Sequence, residues 1–555
     1  MLHLRVCLLA GGKFLDGKGA MVDDDGMSDA LDLLIVGGGI NGTGIAADAS
    51  GRGLSVLLCE RGDLASATSS ASSKLIHGGL RYLEHWHFRL VHEALVEREI
   101  MLRKAPHLVQ PQRFILPHRP HLRPRWLIRC GLFLYDHLAR RGQLPASTGL
   151  PLLVDENNPL NNNLHYGFQY YDCKVDDARL VVANALQARQ QGAGILTRTF
   201  CRSAVRREGL WHVELEDSNT GQCQQYRAKV LVNAAGPWAE SFIEVQLQQQ
   251  SPQQIRLVKG SHFIVKRLYS GDQAYLLQND DDRVVFVIPF GTDFTLVGTT
   301  DTEYSGDPAV AAMDEREEAY LLQAVNNCFT QQLGSADILW RYAGVRPLCD
   351  DDAAKPSAIS RDYILELGLG GDAKAPLLSI FGGKITTYRK LAETALQRMQ
   401  PFLPHMGANW TAEVALVGGD IAGKGEGAYE QWLECQADSY PWLPKALLGR
   451  LGRAYGSQLA EVLGDAGAIS DLGRCFGANL YQREVDYLVA NEWARSGEDI
   501  LWRRSKLGLY FEPSEMACLE AYVQSYVRAS SLAGADRGAP IKRADIKGAA
   551  IIKPG

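Results

Sequence analysis

No stretch of this 555-residue chain holds the run of about 18 apolar residues that a membrane-spanning helix needs. Its eleven cysteines fall singly, with no C-x-x-C pair, which argues against a zinc site or a disulfide framework and for free thiols in a reducing compartment. Net basic charge is also missing: a formal charge of −6 excludes a general nucleic-acid binder. His85, His87 and His118 lie in basic loops without metal-ligand spacing, so no metal site is expected. The start has no usable signal peptide, because Leu2–Ala10 is short, Arg5 interrupts it, and Asp23–Asp25 follow closely. Residues 1–30 therefore read as a disordered extension, with Met27 just ahead of the first strand. What remains, 46% apolar and 22% charged, is ordinary globular composition with a large core. The length suits roughly two to four domains.

The strongest local signal is Leu33-Leu34-Ile35-Val36-Gly37-Gly38-Gly39-Ile40-Asn41-Gly42, with a second apolar run, Leu54–Cys59, closing on Glu60. It reads as strand, glycine turn, helix and a second strand ending in an acid, the form of a dinucleotide-binding βαβ unit. Gly37 permits the tight turn, Gly39 lets the backbone approach a pyrophosphate, and Gly42 lets the helix pack closely on the sheet. The N–H groups and dipole of the helix start favour the phosphates, and Glu60 has the spacing of the acid that holds a ribose hydroxyl pair. The hydroxyl-rich run Ala65–Ser73 follows where that pyrophosphate should lie. It reads as a contact segment, against the alternative of a flexible linker.

Further along, Arg89–Lys104 has helical periodicity. Residues 118–141 mix Arg119, Arg123, Arg125, Arg129, Arg140 and Arg141 with Trp126, Leu127, Ile128, Leu132, Phe133 and Leu134. Such a segment is either an amphipathic element at a membrane surface or a core helix with a solvated basic edge. Val230–Ala235, ending at Gly236, reads as a later strand of the nucleotide sheet. Residues 255–301 read as short strands, with Val284–Phe290 and Phe294–Thr300 flanking a Gly291-Thr292-Asp293 hairpin turn. Pro376–Gly382 returns to strand, glycine and helix, and Gly368 with Gly370 reads as a hairpin turn. From about residue 406 the chain reads as mostly helical, clearest at 447–463, 484–495 and 514–532, with nothing that reads as chemistry. The expected architecture is α/β: a Rossmann-type nucleotide domain interleaved with a mixed or antiparallel-sheet substrate domain over 31–405, a helical domain over 406–532, and a disordered tail over 533–555.

Taken together, the glycine turn, Ser69–Ser73, His77-Gly78-Gly79-Leu80-Arg81-Tyr82-Leu83, Lys259-Gly260-Ser261-His262, Gly344-Val345-Arg346-Pro347-Leu348 and Phe381–Lys390 resemble the flavin-dependent, aerobic glycerol-3-phosphate dehydrogenases. The resemblance runs in matching order over about residues 31–530. It implies FAD as cofactor, sn-glycerol 3-phosphate oxidised to dihydroxyacetone phosphate, and electrons passed to a membrane quinone. It also implies a homodimer held peripherally at the membrane surface, on the cytoplasmic face of the inner membrane. Cofactor contacts are expected from Gly37, Gly39, Ile40, Asn41, Gly42, Glu60, Thr68, Ser69, Ser70, Ser73, Gly78, Gly236, Gly383, Lys384 and Thr386.

The residues fit such chemistry. A phosphate monoester is a dianion that planar guanidinium forks grip well, and Arg81 and Arg346 both stand in glycine- or proline-marked turns. They are assigned to the substrate, with Tyr82 and Lys384 as supporting donors. The Gly382-Gly383-Lys384 turn would aim backbone N–H groups at the charge that develops near N1 and O2 of a reduced flavin. His262 is the candidate general base. An unprotonated Lys384 and a bound water are its rivals, and Arg346 has the alternative role of polarising the developing carbonyl oxygen. Two other readings stay open at this stage: a soluble oxygen-using flavin oxidase of glycerol 3-phosphate or a small amine, and a non-catalytic flavin-binding protein.

Overall fold

The structure is a computed structural model. It describes residues 30–152, 158–349, 362–369, 375–421, 423, 425 and 427–532, together with the strand pair Phe14–Leu15 and Met21–Val22. The extension over 1–30 otherwise lies outside the described residues, as does the tail over 533–555 and the turn at Gly370.

Leu31–Val36 forms the middle of a parallel sheet whose order is Gly194–Thr197, Val56–Glu60, Leu31–Val36, Cys223–Asn233 and Leu377–Gly382. Tyr363–Gly368 pairs antiparallel with Leu377–Gly382 and closes the hairpin expected around Gly368. Such a sheet must be covered on both faces, which is why its strands are apolar at nearly every position. Leu33 and Ile35 point to one side, into a core shared with the helices Ile40–Gly51, Asp177–Gln190 and Tyr388–Met399. Alanines 46, 47 and 49 let the first of these helices lie close to its neighbours. Leu34 points to the other side, into a core with Trp211, Val213 and Phe242 beneath the antiparallel strands Thr199–Arg207 and Leu210–Asp217.

The second sheet is mixed. Val109–Pro117 and Ala274–Gln278 run parallel, and the other pairings are antiparallel. Its longest ladder joins Ile255–Lys266 to Ile338–Cys349, placing Gly260 opposite Gly344, His262 opposite Tyr342 and Val258 opposite Arg346. Directly opposed residues share a face, so this register gathers His262, Tyr342 and Arg346 on one side of the sheet. The strand expected over 294–300 ends at Gly298, which frees Thr299, Thr300 and Asp301 to turn toward Arg346.

The C-terminal region has its own core, built from Leu447, Leu451, Val485, Leu488, Leu519 and their neighbours. The helix expected over 447–463 is two helices, Lys445–Tyr455 and Leu459–Leu463, broken at Gly456, whose φ is +53°. The helix expected over 484–495 spans Gln482–Asn491, and a short strand pair, Cys475–Gly477 with Leu480–Tyr481, interrupts the helical run. Buried ion pairs fasten this region to the nucleotide domain: Arg504 to Asp63 at 2.8 Å and Lys506 to Asp177 at 2.7 Å. Pairs of this kind give little net stability, but removing one partner strands a buried charge and costs about 3–5 kcal/mol.

Candidate functional site

A cavity of about 630 Å³ opens where the C-terminal ends of the parallel strands meet the second sheet. Gly37 turns the chain out of its strand with φ +117°, and a Cβ there would overlap the Ala234 carbonyl oxygen. Gly38 donates its N–H to Glu60 Oε2 at 2.7 Å, and Gly62 donates to Glu60 Oε1 at 2.8 Å. Burial raises the Glu60 carboxyl, and those two N–H groups oppose the rise. A Cβ on Gly42 would strike the Gly37 carbonyl oxygen, so this glycine serves helix packing and does not line the cavity. Ser69 Oγ accepts the Ile40 N–H at 3.0 Å, and Thr68 Oγ1 donates to the Val345 carbonyl at 2.6 Å. The serine run is thereby a wall segment, tied at one point to the helix start and at another to the strand that carries Arg346.

Gly37, Gly39, Ile40, Asn41, Glu60, Thr68, Ser69, Ser70, Ser73, Gly236, Gly383, Lys384 and Thr386 all line this cavity, and so do Arg81, Tyr82 and Arg346. Arg81 makes no hydrogen bond or ion pair among the described residues, so its fork is open to a ligand. Arg346 is held from two sides: Nη1 donates to Asp301 Oδ1 and Nη2 to Thr299 Oγ1, each at 2.8 Å. A Cβ on Gly260 would overlap that guanidinium. Lys384 Nζ lies 3.8 Å from the centroid of the Tyr82 ring, a cation–π contact. Gly382 and Gly383 both have positive φ, 79° and 100°, and the turn passes through Ile385–Thr387 before the helix begins at Tyr388.

Two further expected site residues stand behind the cavity wall. Gly78 is enclosed by Leu95 and Tyr135 and donates its N–H to the Tyr135 hydroxyl at 2.8 Å. His262 is 1% exposed and is linked to the cavity by Ser73, whose Oγ shares a 2.9 Å hydrogen bond with Nε2. Burial, with the Arg346 charge nearby, pushes this imidazole well below its ordinary value, so it is neutral near pH 7 and a weaker base than a free imidazole. Its ring stacks on Tyr342 with centroids 4.8 Å apart, and a Cβ on Gly298 would collide with it. Asp301, Thr299 and the Ser73 hydroxyl as a link to His262 were not among the residues expected from sequence. No local sequence signal marks them, because Thr299 and Asp301 meet Arg346 only through the folding of the second sheet.

The chain matches the FAD dependent oxidoreductase family model over residues 32–389. The model for the C-terminal domain of alpha-glycerophosphate oxidase matches residues 409–528. A glycerol-3-phosphate dehydrogenase of Pseudomonas aeruginosa is 58% identical over 499 residues, 90% of this chain and 96% of the relative. The chain belongs to the family of the FAD-dependent glycerol-3-phosphate dehydrogenases. A D-erythritol 1-phosphate dehydrogenase of Brucella abortus is 48% identical, over 91% of this chain and 99% of that one. The solved structure of the Bacillus halodurans glycerol-3-phosphate dehydrogenase, complexed with FAD, aligns with a TM-score of 0.70 at 27% identity, over 91% of this chain and 93% of that one. FAD is therefore the cofactor, and the residues fit it: Gly37 and Gly42 leave no room for a Cβ at the helix start, and Gly39 and the Glu60 carboxylate line the cavity beside it. The oxidoreductase fold and the helical C-terminal domain agree with the architecture read from sequence.

Proposed function

We propose that this protein oxidises sn-glycerol 3-phosphate to dihydroxyacetone phosphate and delivers the electrons to a quinone at the cytoplasmic face of the inner membrane. One observation carries the reading: Arg81, Arg346 and Lys384 line the same cavity as the dinucleotide cradle. A phosphate dianion needs that positive charge, and the open fork of Arg81 can grip two of its oxygens. Arg346, held by Asp301 and Thr299, steadies the oxygen on which charge grows as the alcohol becomes a ketone. Ser73 passes the hydroxyl proton inward to His262. FAD, when bound, supplies the acceptor for the carbon-bound hydrogen. In the test, anaerobic glycerol 3-phosphate should bleach the flavin and yield dihydroxyacetone phosphate in equal amount. Bleaching absent in a fully FAD-loaded sample would refute the reading.

The membrane part of the proposal is supported by the helix Arg125–His137. Trp126 and Phe133 are 68% and 54% exposed, and Leu127 and Leu134 are also exposed beside Arg125 and Arg129. Apolar side chains between arginines suit the boundary of an anionic lipid surface. Among the described residues no helix is long and apolar enough to cross a membrane. The double substitution Trp126→Ala with Phe133→Ala should weaken co-sedimentation with anionic phospholipid vesicles by roughly tenfold or more, since both rings are withdrawn from the lipid boundary. Equal sedimentation of variant and wild type would remove this helix from the contact.

A further inference from the structure

Arg81 and Arg346 differ in what holds them. Arg346 is clamped by Asp301 and Thr299, whereas Arg81 makes no hydrogen bond or ion pair among the described residues. The backbone that carries Arg81 must therefore set where its fork lies. That backbone is the turn from His77 into the short helical segment Leu80–His85. Thr386 Oγ1 accepts the His77 N–H at 3.2 Å, and the Tyr135 hydroxyl accepts the Gly78 N–H at 2.8 Å. Gly79 then takes a φ of +77°, and the Tyr82 ring folds back to where a Gly79 Cβ would stand. Tyr135 belongs to the helix Arg125–His137, is buried, and donates its hydroxyl to Asp172, whose two oxygens each lie 2.8 Å away. Asp172, on the strand Tyr166–Val175, is fixed in turn at 2.8 Å by Arg98 Nη1 from the helix Phe88–Lys104. Two helices and a strand thus converge on one backbone N–H just ahead of Arg81.

We propose that Tyr135, oriented by Asp172 and Arg98, is the positioning residue that aims the Arg81 fork at the substrate phosphate. This inference rests on the dehydrogenase reading above and adds the part of the fold that sets its phosphate affinity. A hydroxyl has one proton to give. Because that proton goes to Asp172, the oxygen's lone pairs face the Gly78 N–H, and the direction of the bond is fixed. Burial pushes the Tyr135 hydroxyl well above its ordinary value, so it keeps its proton throughout the neutral range. A phenylalanine here would keep the ring against Tyr170 but leave the Gly78 N–H with Asp172 Oδ1 alone, 3.4 Å away. The turn could then shift, and a small shift at Gly78 grows along the turn to the tip of a long side chain. A fork grips two phosphate oxygens only within a narrow geometry, so the loss falls on substrate binding. Tyr135 itself does not line the cavity, and its effect on the substrate passes through the turn.

The test uses FAD-loaded Tyr135→Phe, Arg81→Ala and the double variant, each checked for flavin content and Tm. In anaerobic stopped-flow bleaching, Tyr135→Phe should raise the half-saturating glycerol 3-phosphate concentration roughly tenfold, equivalent to about 1.4 kcal/mol. The limiting rate should change little, the mark of lost binding that ground state and transition state share. The slope of bleaching rate against concentration, which needs no saturation, then closes the cycle. In the Arg81→Ala background Tyr135→Phe should add nothing, because no fork is left to aim. Gly78→Ala keeps a second variant in hand if the first fails to fold: its Cβ would lie 2.7 Å from the Tyr135 hydroxyl and disturb the same anchor. It should show the same split and the same silence beside Arg81→Ala. Wild-type half-saturation in Tyr135→Phe would overturn the assignment. So would an equal loss in both backgrounds, which a general loosening of the core would give. Arg81→Ala with the wild-type slope would instead refute the phosphate grip, and a wild type that is not bleached would refute the dehydrogenase reading itself, so the failures are distinct.

Discussion

The dinucleotide cradle is mostly backbone with one carboxylate, Glu60, whereas the cationic wall is made of side chains drawn from three distant stretches of chain. The cradle is local. Gly37, Gly39 and Glu60 fall within one βαβ unit, and their positions follow from the strand, the turn and the helix start. The cationic wall is not local. Arg81 follows the serine run, Arg346 lies on a strand of the other sheet, and Lys384 caps a turn after the last parallel strand. The difference teaches where each part is fragile: the cradle fails when a Cβ is added, and the wall fails when a side chain loses its geometry.

Gly42→Ala should break the cradle most severely. The new Cβ would overlap the Gly37 carbonyl oxygen, a backbone atom that cannot swing aside, so the protein should purify without flavin. Full yellow colour in that variant would show that close helix packing is not what the cradle needs. Arg346→Lys attacks the wall. It keeps the charge but loses the fork shared between Asp301 and Thr299, so kcat/KM for glycerol 3-phosphate should fall roughly tenfold or more while FAD content stays full. An unchanged kcat/KM would take Arg346 out of the substrate site.

These two positions also show what could be read in the sequence. Gly42 was legible because a short-range motif encodes its neighbours, and so were the nucleotide strand and the Gly291-Thr292-Asp293 hairpin. The pairing of Arg346 with Asp301 was not, since it depends on the register of Ile338–Cys349 against Ile255–Lys266, and cross-strand register is a tertiary property. The same holds for His262. Its residue type and motif pointed to the site, yet the ladder seats it one hydroxyl behind the cavity surface. The C-terminal domain showed its helices in its periodicity. Its hold on the nucleotide domain through Arg504 and Lys506 could not be read, because Asp63 and Asp177 lie hundreds of residues upstream.

A smaller effect sharpens the contrast from the cradle side. Glu60→Gln leaves one oxygen to accept where two N–H groups now donate, so FAD affinity should weaken about threefold to tenfold, the worth of one modest hydrogen bond. Undiminished FAD retention after dilution would count against a role for the carboxylate. The smallest effect concerns His262, which folding holds below the ordinary imidazole value of 6.5. The unfolded chain binds that proton first, so this histidine's contribution is complete above pH 6.5 and shrinks as pH falls below it. His262→Gln should therefore flatten the decline of Tm on acidification below that point, whatever its own Tm. A decline as steep as the wild type would mean that this imidazole is already protonated in the folded protein.

The decisive measurement is anaerobic bleaching of the bound flavin by glycerol 3-phosphate, D-erythritol 1-phosphate and unphosphorylated glycerol, each followed as a rate against concentration. If guanidinium groups clasp a phosphate beside the flavin, glycerol 3-phosphate will bleach fastest at low concentration and glycerol will be ineffective. Equal rates with glycerol, or a clear preference for the four-carbon ester, would contradict the account.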